Sequence, residues 1–320
     1  MTNDIPRRKD GGIKFSFRPS TEEELKACLS DPLWRICSGA LYKIIIKGDD
    51  DKDGLIMEFK PNRAQKRLIA SLWHRNVILK ARQLGFTTLV CIIWLDTALF
   101  SENVRCGIIA QDREAAEAIF RDKVKFAYQN LPELLRLRMP LARDSASELL
   151  FAHNNSSIRV ATSMRSGTIH RLHVSEFGKI CAKYPDKAVE VITGSIPAVP
   201  LNGILIIEST AEGQEGEFYN ITQRAKALFD AGTELSMRDY RYHFFAWWDE
   251  PKYVMPLGNI KFTDKDVAYF ERIEAQINRQ LTIEQRAWYI ATRDADFSGS
   301  EEKMWQEYPS TPEEAFQQST

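Results

Sequence analysis

The sequence predicts an α/β fold, with a mostly parallel sheet covered by helices on both faces. The first reason is an alternation of strand-length apolar runs and helix-length amphipathic segments from residue 76 onward. The second is that three of those runs, ending near residues 80, 176 and 210, close on polar residues. Ligands bind at the carboxyl ends of strands in sheets of this kind.

The elements follow in order. Residues 1–57 read as a lead-in. Thr21 precedes three glutamates, which gives a helix start with a capping residue and acids in the first turn. Apolar runs at 40–47 and 55–59 flank the polar stretch 48–54 (GDDDKDG), which reads as a hairpin turn. That stretch lacks the ligand spacing and closing Glu of a calcium loop, so it is taken as a solvated turn. The core, 58–235, has strands at 77–79, 104–110, 169–174 and 203–207. Helices are expected at 89–100, 112–130 and 218–230, and a hairpin joins 148–152 to 157–162 around His153. From 236 to 320 the texture changes. A strand-like run at 241–248 precedes charge-rich helices at 263–280 and 282–293, read as a small helical lid subdomain.

Composition narrows the class. Of 320 residues, 44% are hydrophobic and 27% charged, as in an ordinary soluble globular protein. The first twenty residues are polar and basic, with Arg7, Arg8 and Lys9, and lack the apolar core of a signal peptide. The longest apolar run, 89–95, is too short to span a bilayer. The expected compartment is the cytosol. Five cysteines without a close pair make neither a disulfide framework nor a zinc site. A formal net charge of -1 argues against coating nucleic acid by bulk charge but leaves room for a local basic patch. Arg121, Lys123 and Lys125 are candidates for such a patch, or simply a solvated helix face.

The chemistry begins at 80–88 (KARQLGFTT), which follows a strand and opens a helix, as a phosphate-binding P-loop does. With Gly85 on the second glycine of G-x-x-x-x-G-K-[ST], Thr87 takes the magnesium-ligating position and Phe86 replaces the lysine. Phosphoryl transfer needs a cation near the β- and γ-phosphates. Lys80 and Arg82 can supply it from the front of the loop, and Gln83, Gly85 and Thr88 belong to the same cradle of loop and helix N–H groups. An ordinary strand-turn-helix with surface cations would carry the same residues.

Two further strand ends add to it. The run 169–176 (IHRLHVSE) has the Walker B pattern, a strand closing on an acid, with Ser175 where Asp is usual. Glu176 can activate the attacking water as general base, and Ser175 can hold a magnesium-bound water. An acid at a strand end is also common without such a role. His170 and His173 lie on opposite faces of the strand, so they are not read as a metal pair. The run 206–213 (IIESTAEG) ends in Ser209 and Thr210, placed to sense a γ-phosphate, although such hydroxyls often bond only nearby backbone. The order of the three strand ends is the combined signal.

Together, from about residue 59 to the end, these motifs resemble the large terminase of tailed bacteriophages. Its deviant loop, R-Q-x-G-x-[ST], is matched by Arg82, Gln83, Gly85 and Thr87, and some members place a lysine at the loop start, as Lys80 is here. Residues 61–65 (PNRAQ) resemble the adenine-contacting segment, with Gln65 as its key residue. Residues 208–213 with Phe218 and Tyr219 resemble the motif that couples hydrolysis to movement. Residues 163–167 (SMRSG) resemble the segment that lends an arginine, here Arg165, to a neighbouring subunit's ATP. Ser175 and Phe86 depart from the family pattern.

The resemblance implies a P-loop NTPase fold of the ASCE, RecA-like type. It implies ATP and Mg2+, hydrolysed to translocate double-stranded DNA into a procapsid. It also implies a homo-oligomeric ring of five subunits on the portal protein and a small terminase subunit as partner. The place is the host cytoplasm, with no membrane. The family continues into a nuclease domain after a segment like 308–316 (YPSTPEEAF), so this chain is expected to be the motor without nuclease activity. The alternatives are a helicase or other P-loop ATPase, or a scaffold that binds nucleotide weakly.

Overall fold

The structure, a computed structural model, describes residues 5–46, 54–165 and 167–317. The polar turn expected at 48–54 lies outside them except for Gly54, as does Ser166. Among the described residues ten strands form: β1 (Lys43–Ile46), β2 (Leu55–Glu58), β3 (Arg75–Lys80), β4 (Arg105–Ile109), β5 (Leu141–Asp144), β6 (Glu148–Phe151), β7 (Ser157–Ala161), β8 (Arg171–Ser175), β9 (Ile204–Ser209) and β10 (Tyr240–Phe245). The fold is α/β, with a mostly parallel sheet flanked by helices.

The chain divides into two compact units of interleaved segments. One comprises Met1–Lys66, Gly85–His173 and Gly194–Gly203; the other comprises Arg67–Leu84, Val174–Thr193 and Ile204–Thr320. The division falls within β8, so that strand is common to both.

In the first unit β1 and β2 pair antiparallel, with Ile46 opposite Leu55. The strand order is β8-β4-β7-β6-β5. β4 and β7 run parallel, and β6 is antiparallel to both β7 and β5. The sequence pattern does not reveal β5, because three of its four residues are exposed and show no apolar alternation. Helix Phe86–Phe100 is apolar nearly all round and therefore buried rather than amphipathic. Trp94 donates its indole N–H to Gly107 O at 3.1 Å, which satisfies the one polar atom that side chain carries inward. The helix expected at 112–130 has a π-helical stretch, Phe120–Lys125, between α-helical pieces Arg113–Ile119 and Phe126–Gln129. Such wide turns are rare and gather at functional sites.

The lead-in belongs to this unit. Thr21 and Glu24 form a capping box on helix Glu22–Leu29, and Asp31 caps helix Pro32–Cys37. From the second helix Arg35 reaches Asp96, making two bonds of 2.9 Å to its two oxygens. Tyr42 adds a hydroxyl to the same carboxylate. Arg35 and Asp96 are 8% and 3% exposed, so removing one partner strands a buried charge. Arg35→Ala is expected to destabilise the fold by about 3–5 kcal/mol, read as a lower urea midpoint with the slope unchanged.

In the second unit the order is β10-β3-β9-β8. β3 lies between parallel neighbours, with Val77 between Tyr242 and Ile207. β3 and β9 are apolar throughout their middles because both faces are covered. Helix Glu217–Asp230 packs on β10 and β3, and helix Phe177–Lys183 on β9. The strand-like run read at 241–248 forms β10 as far as Phe245, where all six residues Tyr240–Phe245 ladder with β3, and then turns into a short 3-10 helix, Trp247–Asp249. Helices Asp264–Ile277 and Ile283–Asp296 follow, with capping boxes at Thr263/Asp266 and Thr282/Gln285. An aromatic cluster consolidates this end of the chain. Trp288 stacks on Tyr253 at 4.3 Å and on Trp247 at 5.4 Å between ring centroids.

Candidate functional site

The ends of β3, β8 and β9 bring four side chains of the second unit together. Lys80, the last residue of β3, is 5% exposed. Its ammonium donates to Glu176 Oε1 at 3.2 Å and pairs with Glu208 Oε2, also at 3.2 Å. Ser175 donates its hydroxyl to Glu208 Oε1 at 2.9 Å. Burial alone would lower the pKa of Lys80, but the carboxylates of Glu208 and Glu176 outweigh it and hold the ammonium above its ordinary value. Lys179, one turn into the following helix, stands 3.6 Å from Glu176 Oε2.

The backbone aims these groups. Glu176 has a left-handed φ of 52°, uncommon for a residue with a Cβ, and caps helix Phe177–Lys183. This conformation turns the chain sharply at the strand end, and strain of that kind concentrates at functional sites. Ser209 donates to Glu176 Oε2 at 3.5 Å. Gly178 permits the approach, since a Cβ there would lie 2.8 Å from Ser209 Oγ and 2.9 Å from Thr210 O. Thr210 is 1% exposed and its hydroxyl has no hydrogen-bond partner among the described residues.

The loop after β3 crosses the division between the units at Leu84 and Gly85. In the second unit Arg82 is not part of the Lys80 cluster. Its guanidinium is half-exposed, 3.6 Å from Glu307 Oε2. The backbone here is held by the C-terminal segment. Tyr253 donates its hydroxyl to Arg82 O, Lys252 donates to Gln83 O at 2.6 Å, and Arg82 N donates to Glu307 O at 2.9 Å.

In the first unit Gly85 caps helix Phe86–Phe100 at φ 80°, a conformation that favours glycine. Gln65, 4% exposed, donates its amide to Gly85 O at 2.7 Å and accepts from Asn62 N at 2.8 Å. A Cβ on Gly85 would lie 2.8 Å from that Gln65 nitrogen. Phe86, where a P-loop has lysine, is 1% exposed and serves the core. Thr87 and Thr88 lie in the first helical turn, and Thr88 Oγ1 accepts from Lys123 Nζ at 2.8 Å. Arg165 is exposed, on a loop fixed at Met164, whose carbonyl accepts the Ser195 hydroxyl at 2.6 Å.

Sequence reasoning did not single out Glu208 or Lys123 for these places. Glu208 carried one available signal, an acid closing a run of buried aliphatics. Lys123 carried none, because its contact comes through the π-helical stretch. Arg121 and Lys125 pair with Asp122 and Asp144. His170 accepts a hydrogen bond from Arg105 N and His173 is fully buried.

Chemically the cluster can hold a cation beside a carboxylate base. Among the described residues no three His, Cys, Asp or Glu side chains are grouped to hold a metal by themselves. Magnesium does not ask for that. It takes hard oxygen ligands, keeps several waters and shares phosphates with few protein groups. In the second unit the hydroxyl of Ser175, with a carboxylate behind it, suits that chemistry. No described helix is long and apolar enough to cross a membrane.

No protein-family model matches the sequence, and no curated protein matches it. Solved structures do. The chain is similar to the large terminase ATPase domain of Thermus phage P74-26, with a TM-score of 0.50 and 17% identity, over 79% of this chain and 94% of that one. It is also similar to the large terminase of bacteriophage HK97, with a TM-score of 0.54 and 15% identity, over 86% of this chain. It spans 54% of the HK97 protein, about half its length. At these identities the likeness is one of fold: the chain has the α/β fold of phage large-terminase ATPase domains.

Proposed function

We propose that this chain is a P-loop ATPase and the motor of viral double-stranded DNA packaging. The observation that carries the reading is Lys80, buried at the end of β3 and 3.2 Å from both Glu176 and Glu208. A cation and a base so placed, at the head of a loop that opens a helix, suit phosphoryl transfer better than a purely structural strand end. The terminase-like fold and the motif order support the packaging role.

In this reading the loop 80–88 takes the triphosphate of ATP. Loop N–H groups and the helix N-terminus bind its oxygens, with Lys80 in place of the lysine that Phe86 displaced. Glu176 accepts a proton from the attacking water, and Glu208 keeps Lys80 charged when Glu176 turns to that water. Mg2+, held by Thr87 and Ser175, would offset phosphate charge. Ser209 and Thr210 sense the γ-phosphate, and Arg82, Gln83, Gly85 and Thr88 complete the cradle. Arg165 serves the ATP of a neighbouring subunit in a ring of five on the portal protein. A small terminase subunit selects DNA, in the host cytoplasm. The chain grips DNA phosphates without reading sequence, so binding weakens with salt.

Gln65 is the adenine contact in this reading. Gln65→Ala is expected to raise KM for ATP about tenfold, near 1.4 kcal/mol, with a smaller change in kcat. Steady-state kinetics with ATP and GTP check it, since an adenine contact affects the first more.

Phosphate release by the chain assembled with portal protein and duplex DNA tests the whole proposal. The expected result is turnover that rises with duplex DNA and moves it without separating strands. Strand separation would point to a helicase. Absence of nucleotide binding by calorimetry, even in the assembled ring, would leave a scaffold and overturn the proposal.

A further inference from the structure

We infer that Glu208 is a positioning residue that turns Ser175 into a magnesium-facing acceptor, supplying from the next strand the negative charge that an aspartate at position 175 would carry. The inference rests on the nucleotide-binding reading above.

Glu208 is an unexpected residue for its place. It is 0% exposed and follows Leu205, Ile206 and Ile207, which are equally buried. Burying a carboxylate costs several kcal/mol unless it is paired and hydrogen-bonded. Lys80 answers one oxygen, but Lys80 already has a carboxylate partner in Glu176. Fixing the lysine therefore does not by itself explain a second, deeper acid. The other oxygen of Glu208 faces Ser175 Oγ at 2.9 Å.

That contact fixes a polarity. A serine hydroxyl has one hydrogen and two lone pairs, while an ionised carboxylate only accepts. Ser175 must therefore give its single hydrogen to Glu208. Its remaining lone pairs are then free to ligate a metal ion or to accept a hydrogen bond from a water held by one. Water bound to a divalent cation turns its hydrogens outward, which is the partner this hydroxyl is prepared for. The charge-assisted bond also brings the carboxylate's negative potential to Ser175 Oγ at a buried position. Ser175 and Glu208 thus form a divided acid, with the oxygen on β8 and the charge on β9.

The test is the affinity for a non-hydrolysable ATP analogue, adenylyl imidodiphosphate, measured by calorimetry with Mg2+ and with EDTA. Wild type is expected to bind more tightly with Mg2+. Glu208→Gln is expected to lose about 10- to 100-fold of that Mg2+-dependent gain, the ratio of the two affinities, as outer-shell substitutions do. Returning the charge to its other location, in Ser175→Asp with Glu208→Gln, is expected to restore the gain. A purely structural role for Glu208 would give no such rescue. An undiminished gain in Glu208→Gln, or a folded double variant as impaired as the single, overturns the inference and leaves the ATPase reading standing. If Glu208→Gln does not fold, Ser175→Ala keeps the Lys80–Glu208 pair and must show the same loss; an intact gain there overturns the inference too. Wild type that binds no nucleotide in either condition removes the ATPase reading and this inference with it.

Discussion

Lys80→Ala is expected to lower ATP turnover by about two to three orders of magnitude, near 2.7–4 kcal/mol of transition-state stabilisation, by analogy with other preorganised electrostatic groups. Phe86 is committed to the core and Arg82 stands by Glu307, so neither replaces the missing charge. The substitution also removes the cation from Glu208, and a buried carboxylate left so costs about 3–5 kcal/mol of stability. The two losses separate in Lys80→Met with Glu208→Gln, which is expected to melt near wild type while turning over more slowly than Glu208→Gln alone. Turnover equal to that of Glu208→Gln, along with recovered stability, would show that Lys80 serves only the fold. The pH dependence has a definite sign. The folded pKa of Lys80 is raised, so its contribution to stability is fully present below the unfolded value, about 10.4, and is lost as pH rises through the folded value. Assays at neutral pH see the whole contribution.

Glu176→Gln is expected to reduce turnover by about 10²- to 10⁴-fold, the range for a lost general base, while nucleotide still binds. Glutamine keeps the size of the side chain and one acceptor for Lys80, so the site stays assembled. Glu208 retains the second contact to the ammonium at 3.2 Å. Single-turnover phosphate release, with calorimetry alongside, checks both halves. An equal fall in affinity and rate would make Glu176 a binding group instead of a base.

Much of the sheet was legible because its strands are short apolar runs between helices, as at 77–79 and 203–207. What escaped depends on partners far away in sequence. β5 is a strand only because β6 pairs with it. β10 is legible as a strand from its own residues, but its place beside β3 is not. The site shows the same limit. Lys80 and Glu176 could each be placed at a strand end from local pattern. Their 3.2 Å contact spans 96 residues and depends on which strands are neighbours, which no local pattern encodes. Glu208 was visible only as the first letter of a motif. Lys123 looked like one charge on a solvated face, yet it reaches Thr88.

The grip of the C-terminal segment on the loop after β3 has a mechanical corollary. The carbonyls of Arg82 and Gln83 are tethered to Tyr253 and Lys252, and the ring of Tyr253 lies flat on Trp288, 20° from coplanar. Any displacement of those two carbonyls must either break the tethers or drag that stack along. The turn and the stack are thus geared together, and the indole of Trp288 is a built-in optical gauge of where the turn sits.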